Sequence, residues 1–86
     1  MTAREREIAQ GIRLLVREEL RVEEPFGDDE ELAARLDSLL LLALATAVED
    51  RFRVILSEED AAATRSLADL ARLVARKEER RAGGEA

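Results

Sequence analysis

Three stretches of this chain carry apolar residues at helical spacing, and none alternates apolar with polar residues for the length of a strand. Ile8, Ile12, Leu15, Val16 and Leu20 form the first stripe. Leu41, Leu44, Ala45, Val48 and Phe52 form the second, and Leu67, Leu70, Leu73 and Val74 the third. β-branched residues are few, while Ala, Leu, Glu and Arg, all good helix formers, dominate. The pattern predicts an all-α fold, a four-helix bundle of three long helices and one short. Its order is helix, long loop, helix, short helix, helix.

Helix-start signals punctuate the stripes. Thr2-Ala3-Arg4-Glu5 reads as a capping box, and Ser66-Leu67-Ala68-Asp69 as a second one. Asp37 is a good N-cap for a helix running to about Arg53. Ser57-Glu58-Glu59-Asp60 opens a short helix that continues through the alanines at 61 to 63. Between Val22 and Glu31 the periodicity breaks over the only proline, Pro25, Gly27 and an acidic run, which predicts a long, partly ordered loop with Phe26 as its anchor in the core. Leu32 points inward from a short turn over 31–35. Beyond Val74 the apolar positions stop. Residues 1–76 are expected to form the domain, and 77–86 a charged, disordered tail. Arg76, Lys77, Arg80 and Arg81, interleaved with Glu78 and Glu79, read as its solvated end.

The inventory of side chains excludes several kinds of chemistry. The chain has 86 residues, no cysteine and no histidine. Disulfides, Cys- or His-based zinc sites and His-based catalytic triads are therefore ruled out. A formal charge of -6 repels nucleic-acid phosphates and favours partners with basic patches. Phe26 and Phe52, the only aromatics, lie outside any basic run and serve base stacking poorly. The first residues are charged and lack the apolar core of a signal peptide. The longest apolar run, from Leu39 to Val48, is too short to span a bilayer, which takes about 20 residues. The expectation is a cytoplasmic monomer that binds neither nucleic acid nor membrane. Asp28 to Glu31 lack the ligand spacing and glycine of a calcium loop, so no metal site is expected.

One constellation carries chemistry: Leu36-Asp37-Ser38-Leu39, at the start of the most apolar helix. It is followed by Glu49-Asp50-Arg51-Phe52 at that helix's end, then Ile55-Leu56-Ser57-Glu58-Glu59, then Ser66-Leu67-Ala68-Asp69-Leu70. From Asp37 to Val74 this run resembles the acyl carrier proteins. Asp-Ser-Leu alone is a weak signal, and its combination with the later segments is much stronger. The resemblance implies that Ser38 carries 4'-phosphopantetheine as a phosphodiester and that the arm's thiol holds acyl groups as thioesters. A serine in the first turn of a helix suits a phosphate, because unpaired backbone N–H groups and the positive end of the helix dipole lie beside it.

On this reading the chain is not an enzyme. Its partners are a magnesium-dependent phosphopantetheinyl transferase and the enzymes that load, elongate or modify the acyl group. The family implies that Asp37 and Leu39 help present Ser38 to them, and that Glu49 and Asp50 join a docking face, with Glu58 to Asp60 either joining it or simply opposing the helix dipole. Two departures from the family stand out. Arg35 occupies a position that is often glycine, so the approach to Ser38 is either stiffer or a continuation of the short turn. Leu40, Leu41, Leu42 and Ala43 follow where acidic residues are frequent. Leu41 faces the core, whereas Leu40 and Leu42 either line a cavity for a sequestered acyl chain or form an apolar docking face. The uncharged start of this helix suggests a stand-alone carrier of a specialised polyketide or other natural-product pathway, or else of fatty acid synthesis.

Two alternatives remain open on the residues alone. Peptidyl or aminoacyl carriers share the architecture and the modified serine, but more often show Gly-Gly before it. The other is a helical adaptor that never carries an arm, in which Ser38 merely caps its helix.

Overall fold

Thr2 starts the first helix as its residues predict. Its backbone is extended, its hydroxyl accepts from Glu5 N, and Glu5 accepts in turn from Thr2 N at 2.8 Å. In the computed structural model, which describes residues 1–23 and 26–84, this helix, α1, spans Ala3–Glu18. A 3-10 turn covers Leu32–Ala34, followed by α2 (Ser38–Phe52), α3 (Glu58–Ala63) and α4 (Leu67–Gly84). No strand is present among the described residues. A single bridge pairs Glu31 with Ser66, where Leu32 N donates to Arg65 O at 2.8 Å. The architecture is the expected all-α bundle of three long helices and one short.

The core lies where the three stripes meet. Ile8, Ile12 and Val16 of α1 face Leu67, Ala71 and Val74 of α4, and all are buried. From α2, Leu44, Val48 and Phe52 close the core. Leu15 and Leu20 pack against its edge half-buried. Ala9, outside the expected stripe, is buried with them. Gly11 lets α1 and α2 approach closely, for a Cβ there would lie 2.9 Å from the Phe52 ring tip. That fit offsets the cost of a glycine in mid-helix, about 1 kcal/mol.

The loop before α2 is tied at several points. Phe26 is buried, as expected of an anchor. Arg13, which lies off the α1 stripe, donates to Phe26 O at 3.0 Å and pairs with Asp28. Asp28 O accepts from Ala68 N at 2.9 Å and so satisfies an amide in the first turn of α4. Pro25, expected in this loop, lies outside the described residues, as do Glu24, Glu85 and Ala86.

Short-range caps build α3 and start α4. Ser57 and Asp60 form a reciprocal box, and α3 buries no side chain. Ser66 Oγ accepts from Asp69 N at 3.1 Å, while the Asp69 carboxylate accepts from Ser66 N and Arg65 N. The sequence predicted disorder from about Lys77, whereas α4 is helical to Gly84. Long-range ties explain the extra turns. Lys77 pairs with Asp60 at 2.9 Å, Glu78 takes both forks of the Arg4 guanidinium, and Arg81 donates to Arg53 O. The tail's charges are therefore partly spent within the molecule.

Candidate functional site

Leu36, 2% exposed, holds the chain in the core immediately before α2. The next residue leaves the core. Asp37 is extended, and its carboxylate accepts from Leu40 N at 2.9 Å while its carbonyl accepts from Leu41 N at 2.8 Å. The N-cap of α2 is therefore Asp37, as its side chain predicted. Ser38, the first helical residue, is exposed, and its hydroxyl has no hydrogen-bond partner among the described residues. The amides of Ser38 and Leu39 lie in the first turn, where the helix itself supplies no acceptor. A phosphate ester on Ser38 Oγ fits here, with free amides and the positive helix end beside it and no carboxylate other than the cap close in sequence.

Arg35 turns the glycine departure into an anchor. Its guanidinium lies 4.2 Å from the centre of the Phe26 ring and 3.3 Å from Glu30. It also closes the 3-10 turn, its amide donating to Leu32 O. The short turn ends at Ala34 with Arg35 as its cap, and the Arg35 side chain ties the approach to Ser38 to Phe26 and Glu30. Two residues of the acidic run are used in the same way. Asp28 pairs with Arg13, and Glu30 bonds Arg35 and Gly27 N.

The two sides of α2 differ. At about 100° per residue, Leu41, Leu44 and Ala45 centre on one direction and Leu39, Leu42, Ala43 and Thr46 on nearly the opposite one, with Ser38 between them. The inner set walls a chamber of about 460 Å³, completed by Leu32 of the 3-10 turn, Leu56 of the turn after α2, Ala61 and Ala62 of α3, and Leu70 and Leu73 of α4. Glu31, Asp60, Thr64 and Arg65 are its polar lining. Asp60 is already bonded to Ser57 N and Lys77, and the Thr64 hydroxyl to Asp60 O. The backbone N–H of Ser57, helped by Lys77, lowers the Asp60 carboxyl to about 2.

Leu40 and Leu42 do not line that chamber, so one of the two accounts offered for them is set aside. With Leu39 they line a shallow outer groove that also takes in Glu19 and Leu20 from the end of α1. Leu39 and Leu42 are 75% and 65% exposed, while Leu40 is half-buried. Asp50 is exposed at the groove's far end. Glu49 is placed differently. It is half-buried, and its carboxylate accepts from Leu56 N at 2.8 Å, which fixes the turn between α2 and α3. The run of leucines marked an unusual surface, but neither α1's share in the groove nor the alanine wall of α3 had a sequence signal.

No helix among the described residues is long and apolar enough to cross a membrane. A model of the family described as phosphopantetheine attachment site matches residues 10–74. No curated protein matches the chain.

Proposed function

The chain belongs to the phosphopantetheine attachment-site family, and from that footing we propose that it is an acyl carrier whose Ser38 is the attachment point. Members of the family carry 4'-phosphopantetheine covalently. Once attached, that group supplies a terminal thiol able to hold an acyl chain as a thioester. The observation that carries the assignment is the division of labour at the start of α2. Asp37 caps the helix, which leaves the Ser38 hydroxyl exposed and unpartnered. A serine serving as the cap would have its oxygen turned to an amide of its own helix, so the adaptor reading loses its account of Ser38.

The chamber supports an acyl cargo over an aminoacyl one. Its inner wall is leucine, and its polar lining at Asp60 and Thr64 is bonded within the protein, so burial along that wall favours an alkyl chain over a charged amino group. Leu41 lies one turn from Ser38 on the chamber side, which puts the opening within reach of a flexible arm. Asp37, Leu39, Leu40, Leu42 and Asp50 form the face that meets the transferase and the loading, elongating or modifying enzymes, and Glu49 supports it by holding the next turn. Exposed leucines, where charge would serve many partners, favour a dedicated stand-alone carrier in a specialised polyketide or natural-product pathway. Such a carrier is not itself an enzyme and works in the cytoplasm.

The test is intact mass after incubation with coenzyme A, magnesium and a broad-specificity phosphopantetheinyl transferase. The native chain is expected to gain one phosphopantetheine and Ser38→Ala none. A folded native chain that gains nothing returns Ser38 to an ordinary surface position. Efficient elongation by purified fatty-acid synthase enzymes would overturn the specialised-pathway assignment alone.

A further inference from the structure

Residues 77–81 tie the end of α4 to each of the other three α-helices. Lys77 pairs with Asp60 of α3 at 2.9 Å. Glu78 accepts two bonds, at 2.9 and 2.7 Å, from the guanidinium of Arg4 near the start of α1. Arg81 donates to the carbonyl of Arg53, the C-cap of α2. Lys77 and Arg81 stand four apart on one side of the helix, with Glu78 about 100° round from Lys77, so a single turn reaches all three neighbours. This turn and Arg4 both lie outside residues 10–74, the stretch that the family model matches. Whatever the turn does is therefore added to the family's shared part.

Of the three, α3 leans on the turn most. It buries no side chain, and its six residues are too few to persist as a helix alone. The Ser57–Asp60 box and the Thr64 hydroxyl bond to Asp60 O are local, so they shape α3 without fastening it to the bundle. Among the described residues, the Lys77–Asp60 pair is the bond that joins an α3 side chain to a long helix. Its two side chains are only 21% and 22% exposed, so solvent screens it less than an ordinary surface pair.

We infer that residues 77–81 form a clasp that governs how readily α3 lifts from the chamber, with Lys77 as a positioning residue that acts through Asp60. Asp60, Ala61 and Ala62 are part of the chamber lining, so lifting α3 removes that part of the wall. The two alanines are exposed and offer little apolar area to hold the wall in place. Helix ends fray, and the ties of Glu78 and Arg81 hold the last stretch of α4 so that Lys77 stays within reach of Asp60. The clasp works through charge, whereas Ile8, Ile12, Leu67 and Val74 make the α1–α4 seam apolar. Salt, or a carboxylate that competes for Lys77, therefore frees α3 and leaves the seam closed. What the wall shelters rests on the carrier assignment, and the clasp itself does not.

Native-state amide hydrogen exchange of the full chain, followed by NMR, tests the clasp. Ala61 N and Thr64 N, which donate to Ser57 O and Ala61 O at 3.0 and 3.3 Å, report on α3. The amides of Ile12 and Val74 report on the seam and show that each variant has folded. Lys77→Met keeps a long apolar stem and a good helix former while removing the charge. In it the α3 amides are expected to exchange about tenfold faster, with Ile12 and Val74 changed less than about twofold. Lys77→Arg is expected to return α3 to within about twofold of the native rate. Glu78→Gln, whose partner Arg4 is on α1, is expected to quicken the same α3 amides about threefold. Raising salt to ~1 M is expected to speed α3 exchange in the native chain and to change Lys77→Met much less. Unchanged α3 exchange in Lys77→Met, equal acceleration at Ile12 and Val74, or the same salt response in native and variant chains would each overturn the inference. So would Glu78→Gln that leaves α3 untouched, or native α3 amides without protection. None of these measurements needs an arm on Ser38, so their failure removes the clasp and leaves the carrier assignment to the mass measurement.

Discussion

Leu44 and Leu42 sit two residues apart on α2 and live in different surroundings. The first is 1% exposed among residues of the other helices, whereas the second is 65% exposed over the groove. The same side chain stabilises the fold in one place and is left to solvent in the other. What separates them is about 200° of rotation around the helix axis. Hydrophobicity along α2 therefore carries two messages, one addressed to the core and one outward. Ser38 lies between the two directions, so an arm carried there, as proposed, would reach either side.

The widest gap should appear on truncation. Leu44→Ala is expected to cost about 2–5 kcal/mol by urea denaturation, because it removes transfer energy and leaves a cavity. Leu42→Ala should stay within about 0.5 kcal/mol, as surface changes do. Similar losses at both sites would show that the outer leucines are folded into a core after all. Asp37→Ala tests the junction between the two sides. Loss of the cap is expected to cost about 1 kcal/mol. Ser38 should still accept its arm, at a reduced rate if Asp37 also meets the transferase.

On the inner side, acid should act through Asp60. The folded-state pKa of Asp60 lies near 2, below its ordinary 3.8. Its contribution is thus fully present above about pH 4 and is lost as pH falls towards 2. Methyl NMR of Ala61 and Ala62 should show the chamber wall loosening in that window. In Asp60→Asn the window should vanish, and equal behaviour of the two variants would remove Asp60 as the cause. The smallest effect concerns the far end of the helix. Arg53 caps α2 in the left-handed region, at φ 57, where a side chain is strained and glycine is not. Arg53→Gly should gain a few tenths of a kcal/mol, visible as a slight rise in the urea midpoint.

Periodicity and capping chemistry are local, and what they control was readable from the sequence. The Thr2, Asp37, Ser57 and Ser66 starts, the inward stripes and the Phe26 anchor all follow from residues a few positions apart. The partnerships of Arg13, Lys77 and Arg81 do not. Each lies off a stripe or in a charged run, and each finds its partner at Asp28, Asp60 or Arg53 only once the helices are in place. Composition predicted a solvated tail because it counts charges without knowing what they face. For the candidate site, the junction of Asp37 and Ser38 was legible because a cap is a three-residue matter. The separate destinations of Leu41 and Leu42 were only half legible. The helix angle says that they diverge, but only the placement of α1 and α3 says what each meets.

One feature of α3 sets a rate. Its six residues make less than two turns, bury no side chain and are held by their own box, by the Thr64 hydroxyl and by Lys77. A helix so short does not persist alone, so its opening is a local event that leaves the α1–α4 seam intact. The chamber has its own clock. On the carrier reading, a chain lodged between Leu44 and Ala62 would be released by the opening of α3, with no unfolding of the bundle required.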